Sequence, residues 1–531
     1  MVIILKYQEF NTKYESITNN DFIDKILWFN NIRNFEDYKK ITQSSFPFEF
    51  PNSNYFYNKI NEYKDKKIVI IGDYDCDGVC ATSIMILFLQ YLGISCDYII
   101  GDRFIDGYGM NNSLIDKAIK MNASLIITVD NGIKCKENVD YAKEKGIDII
   151  ITDHHQPEEE CIPNTVIYNP HYKSNLIFKD FCGAFTVFCL IYGYFKYENR
   201  IKDSDKSLLF SLYELAALAT IGDVMPLYDI NRKIVNMLVN HIKNDTIYNK
   251  GLSLLVHKLN LDSNTTSSDV AYKLVPVCNA PGRLKNASLI VDLFISKENT
   301  INECFNLNEE RKNLTKEALK NIEINENAKI NVIYIENLSE GIIGIVAGNI
   351  CEKTNKPTFV FTNDSTGEIK GSGRSIDGYN ILIETEKIIK ENNLYVKYGG
   401  HEGAMGITLK NKECLNIFDK LINESCDLEI IEKTIPYIKA PSLSLKEIYE
   451  LLENLEPHGQ GLILPLLCVE GKPINIKIIN DSHSQFSIKN NGEYLNFMAF
   501  NKIVEQYNDK FYFEIKKSLY NNKIYYKGYI K

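Results

Sequence analysis

The sequence predicts an α/β protein whose first large domain is built on a parallel β-sheet. Between residues 67 and 152, short apolar runs alternate with helical patterns, which is typical of parallel strands with helices on both faces. At 531 residues the chain exceeds what one hydrophobic core organises, so about three domains are expected. Residues 473–531 instead show short alternating strands between turn residues, which favours a small β-barrel of the OB type.

The elements predicted for the first domain follow in a regular order. They are strand 67–72, helix 79–92, strand 97–101, helix 112–121, strand 124–129, helix 136–145 and strand 147–152. Residues 298–327 are charged and lack glycine and proline, which predicts a long helix between two lobes. A second, smaller α/β unit begins near Asn331, where a strand-like run, a helix-like run and a second strand-like run follow one another.

Composition indicates a globular protein of a reducing compartment. The 13 cysteines are scattered without any C-x-x-C pair, so free thiols in the cytoplasm are expected. The opening residues MVIILKYQEF lack the basic and apolar regions of a signal peptide, and no apolar stretch is long enough to span a bilayer. The formal net charge of −9 does not suggest a nucleic-acid binder, but it does not exclude one, because bound cations reverse the local sign.

Three carboxylates alternate directly after the apolar run 68–71, at Asp73, Asp75 and Asp77. Like charges at this spacing repel one another and raise each other's pKa unless a cation neutralises them. Oxygen ligands at the carboxyl end of a parallel strand suit Mg²⁺ or Mn²⁺. A solvated acidic turn is the alternative for this motif taken alone.

Three further clusters follow predicted elements, at 130–132, 153–157 and 222–226. A single aspartate after a strand is more often a helix cap or a turn residue. The adjacent pair His154 and His155 is less ordinary, because the chain has only eight histidines and neutral imidazole is a common metal ligand. Four such clusters in one α/β unit predict a site for two metal ions.

Arginine is rare in this chain, and its placement is informative. Only seven of the 60 basic residues are arginines, and three of them, Arg103, Arg283 and Arg374, lie in glycine-containing motifs. Arginine offers a planar fork to phosphate oxygens that lysine lacks. The pattern favours phosphate binding, with chance clustering as the alternative.

These motifs together resemble a known superfamily. GDYDCDG (72–78), VDNG (129–132), DHHQP (153–157) and IGDVMP (221–226) are similar in order and separation to the DHH phosphoesterases. The motifs GDRFIDGYG, NAPGRL, GIIGIVAG, GSGRS and YGGHEGAMG further resemble the bacterial single-strand-specific exonucleases of that superfamily. The resemblance covers roughly residues 60 to 470.

The resemblance implies a role for each matching residue. The implied metal ligands, for two Mn²⁺ or Mg²⁺ ions, are Asp75, Asp77, Asp130, His154 and Asp223, with Asp130 as the bridge. The implied catalytic residues are His155, which faces the scissile phosphate, and Asp73, which ligates directly or orients the ligands. The implied substrate-binding residues are Arg103, Asn279, Arg283, Ser372, Arg374, Gly400 and His401.

The sequence patterns and the resemblance together predict five segments. These are an N-terminal extension packing on the first lobe (1–60), a catalytic phosphoesterase domain (61–295), a linker helix (296–328), a substrate-binding α/β domain (329–430) and a nucleic-acid-binding barrel (431–531). In the barrel, Phe486, Phe497, Phe500, Phe511 and Phe513 either stack on bases or fill the core.

The implied activity is metal-dependent hydrolysis of single-stranded DNA from its 5′ end, in DNA repair and recombination. The expected enzyme is a cytoplasmic monomer without a membrane anchor, and a single-strand-binding protein and a helicase are candidate partners besides the DNA. One alternative keeps the fold but changes the substrate, giving an oligoribonuclease or a cyclic-dinucleotide phosphodiesterase. The other alternative is a strand-binding relative without catalysis, which the complete set of acidic motifs disfavours.

Overall fold

The computed structural model describes all of the chain except residues 1–3, 43–49, 51–52, 104, 108, 198–201, 321, 365–366, 393–395, 427–431, 491 and 521–522. Two residues of the GDRFIDGYG motif, Phe104 and Tyr108, and the domain boundary expected at 430/431 lie outside the described residues. In the described part of the chain, no helix combines the length and the apolar character needed to cross a membrane.

The N-terminal segment contains one strand and three helices. They are β1 (Ile4–Glu9), α1 (Asp21–Phe29), α2 (Phe35–Thr42) and α3 (Ser53–Glu62). Helix α1 begins at Asn20, whose side chain accepts hydrogen bonds from the N–H groups of Phe22 and Ile23, as expected of an N-cap residue.

The first lobe is built on a parallel five-stranded sheet with the order β3-β2-β4-β5-β6. Its strands are β2 (Ile68–Gly72), β3 (Cys96–Ile100), β4 (Leu125–Val129), β5 (Asp148–Thr152) and β6 (Val166–Tyr168). Helices α4 (Cys76–Tyr91), α5 (Asn112–Lys120) and α6 (Lys136–Glu144) connect them. The elements predicted between residues 67 and 152 are confirmed to within three residues. Because all the strands are parallel, their carboxyl ends meet at one edge of the sheet.

A helical layer covers this sheet and leads to the second lobe. Its members are α7 (Gly183–Tyr197), α8 (Asp203–Gly222), α9 (Asp229–Lys243), α10 (Lys250–Lys258), α11 (Ser267–Asp269), a π-helical turn (Val270–Leu274), α12 (Val275–Leu284), α13 (Ser288–Phe294) and α14 (Ile301–Lys320). The linker helix predicted over 298–327 is therefore shorter at both ends. Beyond Lys320 the sequence is rich in asparagine and isoleucine, which favour helices less. In addition, the Asn325 side chain accepts a hydrogen bond from the Asn327 N–H, which stabilises a turn.

The second lobe is a mixed five-stranded sheet with the order β10-β11-β9-β8-β7. Its elements are β7 (Asn331–Tyr334), α15 (Glu340–Thr354), β8 (Thr358–Asn363), β9 (Ile369–Arg374), α16 (Ile381–Glu391), β10 (Lys397–His401), β11 (Ala404–Leu409) and α17 (Lys412–Ser425). Phe359 and Phe361 of β8 pack under α16 and α17 on one face. Val360 points to the other face and packs against α15.

The C-terminal region confirms the predicted OB-type barrel. Its elements are β12 (Glu432–Lys439), α18 (Leu445–Glu453), β13 (Leu466–Glu470), β14 (Pro473–Ile479), β15 (His483–Asn490), β16 (Glu493–Ala499), β17 (Lys510–Tyr520) and β18 (Lys523–Ile530). β13 pairs with β17, and β14 pairs with β15. Strands β13 and β14 follow each other directly and form one long strand that bends at Gly471 (φ 156°). This bent strand closes the barrel, and the parallel pair β16–β18 completes the five-stranded arrangement.

The described part of the N-terminal extension packs partly on the first lobe, as predicted, and partly on the C-terminal barrel. Strand β1 pairs in parallel with β12, more than 400 residues later, and so extends the barrel sheet. Side chains of α1 such as Ile26 and Leu27 join the same hydrophobic cluster as Leu452 and Leu467. By contrast, Phe50 and the α3 residue Phe56 are buried in the hydrophobic cluster of the first lobe, and α2 packs against α9. The backbone N–H and carbonyl groups of β1 need hydrogen-bonding partners, and the open edge of β12 provides them.

Most of the C-terminal phenylalanines fill the barrel. Phe486, Phe497, Phe511 and Phe513 are buried and form one hydrophobic cluster. Stacking on bases is therefore excluded for these four side chains in this conformation. Phe500 alone of the five is exposed, at 55%, and its ring stacks on Tyr529 with centroids 5.9 Å apart.

A buried arginine joins the barrel to the first lobe. The Arg232 guanidinium on α9 donates to the backbone carbonyls of Leu455, Glu456 and Pro457 at 2.7–3.0 Å. In addition, the Leu227 N–H donates to the Gln460 carbonyl. The loop that follows Asp223 is thus held by the segment that leads into the barrel.

Candidate metal centre

The turn after β2 begins the site. Asp75 caps α4, because its carboxylate accepts a hydrogen bond from the Gly78 N–H at 3.0 Å. The Asp73 carboxylate is buried and accepts from the Tyr74 N–H at 2.8 Å. These hydrogen bonds hold the carboxylates of Asp73 and Asp75 at the edge of the sheet where the parallel strands end.

Asp77 is fixed by the start of a different helix. Its two carboxylate oxygens accept hydrogen bonds from the N–H groups of Gly183 and Ala184, each at 2.7 Å. These donors belong to the first turn of α7, where unpaired N–H groups favour a negative charge. The carboxylate is therefore held in one orientation, and its remaining lone pairs are free for a cation.

Asp130 lies between these elements in a strained conformation. Its φ is 61°, a region that an L-residue other than glycine seldom occupies. The Asp130 N–H donates to the Thr152 carbonyl at 2.9 Å. Its Oδ1 is buried and, within the described chain, has no hydrogen-bond partner. A buried oxygen left without a partner is costly, so this atom fits a metal ligand.

His154 gathers the carboxylates of three different elements. Its Nε2 lies 3.7 Å from Asp77 Oδ2, 3.2 Å from Asp130 Oδ1 and 3.5 Å from Asp223 Oδ2. Asp223 Oδ2 is the second buried carboxylate oxygen that lacks a hydrogen-bond partner in the described residues. Burial, followed by the charge of His155, lowers the pKa of His154 to about 3. The imidazole is therefore neutral, which is the form that binds metals.

Asp153 holds both histidines and was missed as a site residue by the sequence analysis. Its carboxylate accepts from the His154 N–H at 2.7 Å and from the Ile133 N–H at 2.9 Å, and it lies 2.7 Å from His155 Nδ1. Burial alone would lower the pKa of His155, but the bond to Asp153 and the nearby carboxylates outweigh it and raise this pKa to about 9. Its position directly before the two histidines was the available signal.

The site carries more negative charge than a buried site without a cation tolerates. Burial, together with the charge of neighbouring carboxylates, raises the pKa of Asp73 to about 8, of Asp77 to about 7 and of Asp223 to about 9. The same causes raise the pKa of Asp130 well above its usual range. Three sets of side chains converge closely enough to bind ions: Asp77 with His154 and Asp223, Asp73 with Asp75 and Asp130, and Asp130 with both histidines. Asp130 is shared, and the donors fit divalent cations.

Asn279, predicted to bind substrate, also supports the metal turn. Its side-chain oxygen accepts a hydrogen bond from the Cys76 N–H at 2.8 Å. That N–H belongs to the first turn of α4, between Asp75 and Asp77. The Asn279 amide oxygen is therefore already engaged in holding the turn.

An arginine cluster lies beside the metal turn. The Arg374 Nη1 donates to Ser372 Oγ at 3.2 Å and to the Gly373 carbonyl at 2.9 Å, and Arg103 lies over the ring of Tyr74. Burial, then the charges of Arg103 and Arg311, lowers the pKa of Arg283 to about 10. Guanidinium groups that lie this close repel one another, and a bound anion such as phosphate would neutralise that repulsion.

Arg311 is a fourth member of this cluster that the sequence analysis missed. It lies on α14 and donates through Nε and Nη2 to the Asn308 side chain. Its own pKa is lowered by burial. Arg311 lies in none of the recognised motifs, and the scarcity of arginine in this chain was the one signal that could have singled it out.

Gly400 and His401 lie further along the second sheet. Strand register pairs His401 with Ala404, and Ala404 with Arg374, so all three face the same side across neighbouring strands. His401 is exposed, and the structure places it two strands from Arg374. The strip between them contains only small side chains.

Two family models match this chain. The DHH family N-terminal domain matches residues 67–220, and the DHHA1 domain matches residues 327–427. The chain is similar to a crystal structure of RecJ from Thermus thermophilus in complex with Mn²⁺, with a TM-score of 0.80 and 22% identity over 95% of this chain and 74% of that one. A structure of exonuclease RecJ bound to manganese has a TM-score of 0.61 and 26% identity over 71% of this chain and 94% of that one.

Curated relatives extend the similarity over most of the sequence. The single-stranded-DNA-specific exonuclease RecJ of Haemophilus influenzae is 29% identical over 93% of this chain and 92% of its own length. The Escherichia coli protein of the same name is 30% identical over 84% of this chain and 82% of its own. Similarity of this extent spans both lobes and the metal-binding motifs. The chain therefore belongs to the RecJ family of single-stranded-DNA-specific exonucleases.

Proposed function

We propose that this protein is a divalent-metal-dependent exonuclease that hydrolyses phosphodiester bonds of single-stranded DNA from the 5′ end. The observation that carries this proposal is the convergence of Asp77, Asp130 and Asp223 on His154, with two buried carboxylate oxygens lacking hydrogen-bond partners among the described residues. The relatives that the chain matches are named for action on single-stranded DNA.

The proposed ligand set divides into two overlapping groups. Asp77, His154 and Asp223 would hold one cation, and Asp75 would hold the second, with Asp130 shared. Asp73 is assigned a ligating or orienting role beside Asp75. Two divalent cations supply the Lewis acidity that activates water and neutralises charge on the phosphate.

His155 is proposed as the residue that acts on the scissile phosphate. Its ring remains partly exposed beside the buried carboxylates, and its raised pKa of about 9 keeps it cationic at neutral pH. A cationic imidazole donates a hydrogen bond to a phosphate oxygen or a proton to the leaving oxygen. Asp153 fixes the orientation of the ring by accepting a hydrogen bond from Nδ1.

The arginine cluster is proposed to hold the 5′ end of the strand. Arg374 contacts Ser372, and the charges of Arg283 and Arg103 lie close enough to interact with it. Arginine forks bind phosphate oxygens in pairs. A terminal phosphate held there would present the adjoining phosphodiester bond to the metal centre. Fixing an end in this way favours removal of terminal nucleotides over internal cleavage.

The small-residue strip beyond this cluster is proposed to accept the terminal nucleotide. A side chain added at Gly399 or Gly406 would meet nothing within 4 Å, so this face is open. His401 is proposed to contact the nucleotide from the far side of the strip, and Gly400 to allow close backbone approach.

The barrel is proposed to hold the strand further from the metal centre. The exposed Phe500 stacks on the half-buried Tyr529, and Lys516 lies over the Tyr529 ring at 5.4 Å. Exposed aromatic rings beside lysines suit single-stranded nucleic acid. We further propose a cytoplasmic monomer in DNA repair and recombination, supplied with strands by a helicase and a single-strand-binding protein. The 13 cysteines are all free thiols, as in a reducing compartment.

Hydrolysis assays with end-labelled substrates test this proposal. We expect Mn²⁺-dependent release of mononucleotides from the 5′ end of single-stranded DNA, faster with a 5′-phosphate than with a 5′-hydroxyl. Activity that persists in EDTA, or release from the 3′ end, would overturn the proposal. Faster turnover of short RNA than of long DNA would favour the oligoribonuclease alternative.

A further inference from the structure

One face of α12 is accessible and lies along the metal centre. Pro276, Asn279 and Arg283 are partly accessible, whereas the other residues from 275 to 282 are buried. Spacings of three and four residues place these side chains on one face of the helix. Asn279 contacts the metal turn through Cys76, and Arg283 belongs to the arginine cluster. The accessible stripe therefore lines the cleft in which the substrate lies.

Tyr272 continues this stripe toward the barrel. It precedes Pro276 by four residues and is 83% exposed, although Val270 and Leu274 beside it are fully buried. It belongs to the π-helical turn 270–274, and such turns are rare and occur often at functional sites. At about 1.5 Å per residue, the ring lies about 16 Å along the helix from Arg283.

A second apolar side chain is exposed next to the metal ligands. Val224 follows Asp223 directly, is 66% exposed and has a φ of 54°. A β-branched residue in the left-handed region is a strained exception. The π-helical turn packs against α8, the helix whose C-cap residue is Asp223. An exposed apolar side chain thus lies directly beside a proposed metal ligand, at the end of a helix that contacts the turn carrying Tyr272.

The path beyond Tyr272 reaches the barrel. A small cavity is lined on one side by Asp269 and Lys273, next to Tyr272, and on the other by Lys517 and Ile524 of the barrel hairpin. Tyr272 precedes Lys273 directly, so this exposed ring belongs to the segment in which the first lobe meets the barrel.

We propose that Tyr272 is a stacking platform for a base of the single strand, several nucleotides from its bound end. This inference rests on the proposed function, because it assumes a strand that runs from the arginine cluster past the metal centre to the barrel. The ring supplies a flat apolar surface that accepts any base, so the contact adds affinity without sequence preference.

Fluorescence of 2-aminopurine tests the contact directly. A 5′-phosphorylated strand with phosphorothioate linkages would carry the probe at successive positions from the 5′ end. We expect quenching by the wild-type protein at one position a few nucleotides from the end. Tyr272→Ala should abolish that quenching, and Tyr272→Phe should retain it, because stacking needs the ring and not the hydroxyl.

Kinetics provide a second measurement. Tyr272→Ala should raise KM for long strands about fivefold or more, with a smaller effect on a dinucleotide and little change in kcat. Tyr55→Ala removes another exposed tyrosine, on α3, and serves as the matched control. If the wild type degrades single-stranded DNA but Tyr272→Ala behaves like the control in both assays, the inference is wrong. If the wild type does not degrade single-stranded DNA, the proposed function fails first.

Discussion

Replacing Gly183 by alanine should strongly reduce activity, although no proposed metal ligand is itself substituted. Gly183 is the first residue of α7, and a Cβ added there would lie 2.5 Å from Asp130 Oδ1. Ordinary contacts begin at 3.4 Å, so the two groups must separate by about 0.9 Å. The Gly183 N–H also donates to Asp77, so the displacement reaches two proposed ligands. Misplacement by about 1 Å can reduce a rate about a hundredfold, and we expect kcat to fall by that order.

The variant should remain folded. Overpacking a buried position costs about 1–3 kcal/mol, and alanine in a helix offsets up to about 1 kcal/mol of that. The assay is mononucleotide release at saturating Mn²⁺, with Mn²⁺ affinity measured by calorimetry and folding by thermal denaturation. We expect weaker Mn²⁺ binding together with the loss of kcat.

Gly348→Ala is the matched control. It also replaces a helical glycine by alanine, but a Cβ at this position meets nothing within 4 Å. It should keep full activity and gain up to about 1 kcal/mol in the free energy of unfolding. Wild-type kcat and Mn²⁺ affinity in Gly183→Ala would refute the reasoning that this close approach positions Asp130.

Four further outcomes are expected. Asp130→Ala should abolish hydrolysis and weaken Mn²⁺ binding while strand binding persists, and activity above about a tenth of wild type would contradict its role as the shared ligand. Arg374→Lys should lower kcat/KM about tenfold or more on 5′-phosphorylated strands, because one charged hydrogen bond is lost. An equal fall in kcat/KM on 5′-hydroxyl strands would exclude a terminal-phosphate pocket. Asp153→Asn should lower the pKa of His155 from about 9. Because activity needs the protonated ring, the wild type should lose activity above about pH 9 and the variant should lose it nearer neutrality. An alkaline limb of the pH–rate profile that does not move would exclude His155 as the acid. Phe500→Ala should weaken binding of long strands about fivefold, and an unchanged Kd would place the strand elsewhere.

The first lobe and its acidic edge were predictable because their signals are local. The run 68–71, for example, is apolar throughout, as expected of a strand buried on both faces. Aspartates directly after such strands must meet at one edge once the strands are parallel. The gathering of Asp77, Asp130 and His154 at one edge thus followed from the parallel direction of the predicted strands.

Contacts between distant segments left no such signal. Nothing in the residues of β1 marks β12 as its partner, because strand pairing depends on which edges the rest of the fold leaves open. The burial of Phe497 in β16 was likewise undetermined. Alternation predicts two faces for a strand, but only barrel closure decides which face is inside.

The sequence by itself determined the kind of chemistry and the order of the elements, since residue types and periodicity are local properties. Only the tertiary structure decided which oxygens lack partners, which arginines crowd together and what holds each ligand. Asn279 was expected to bind substrate, yet its oxygen holds the Cys76 N–H. Asp153 and Arg311 contribute through contacts made by folding. Such roles depend on distances between elements, which spacing along the chain does not encode.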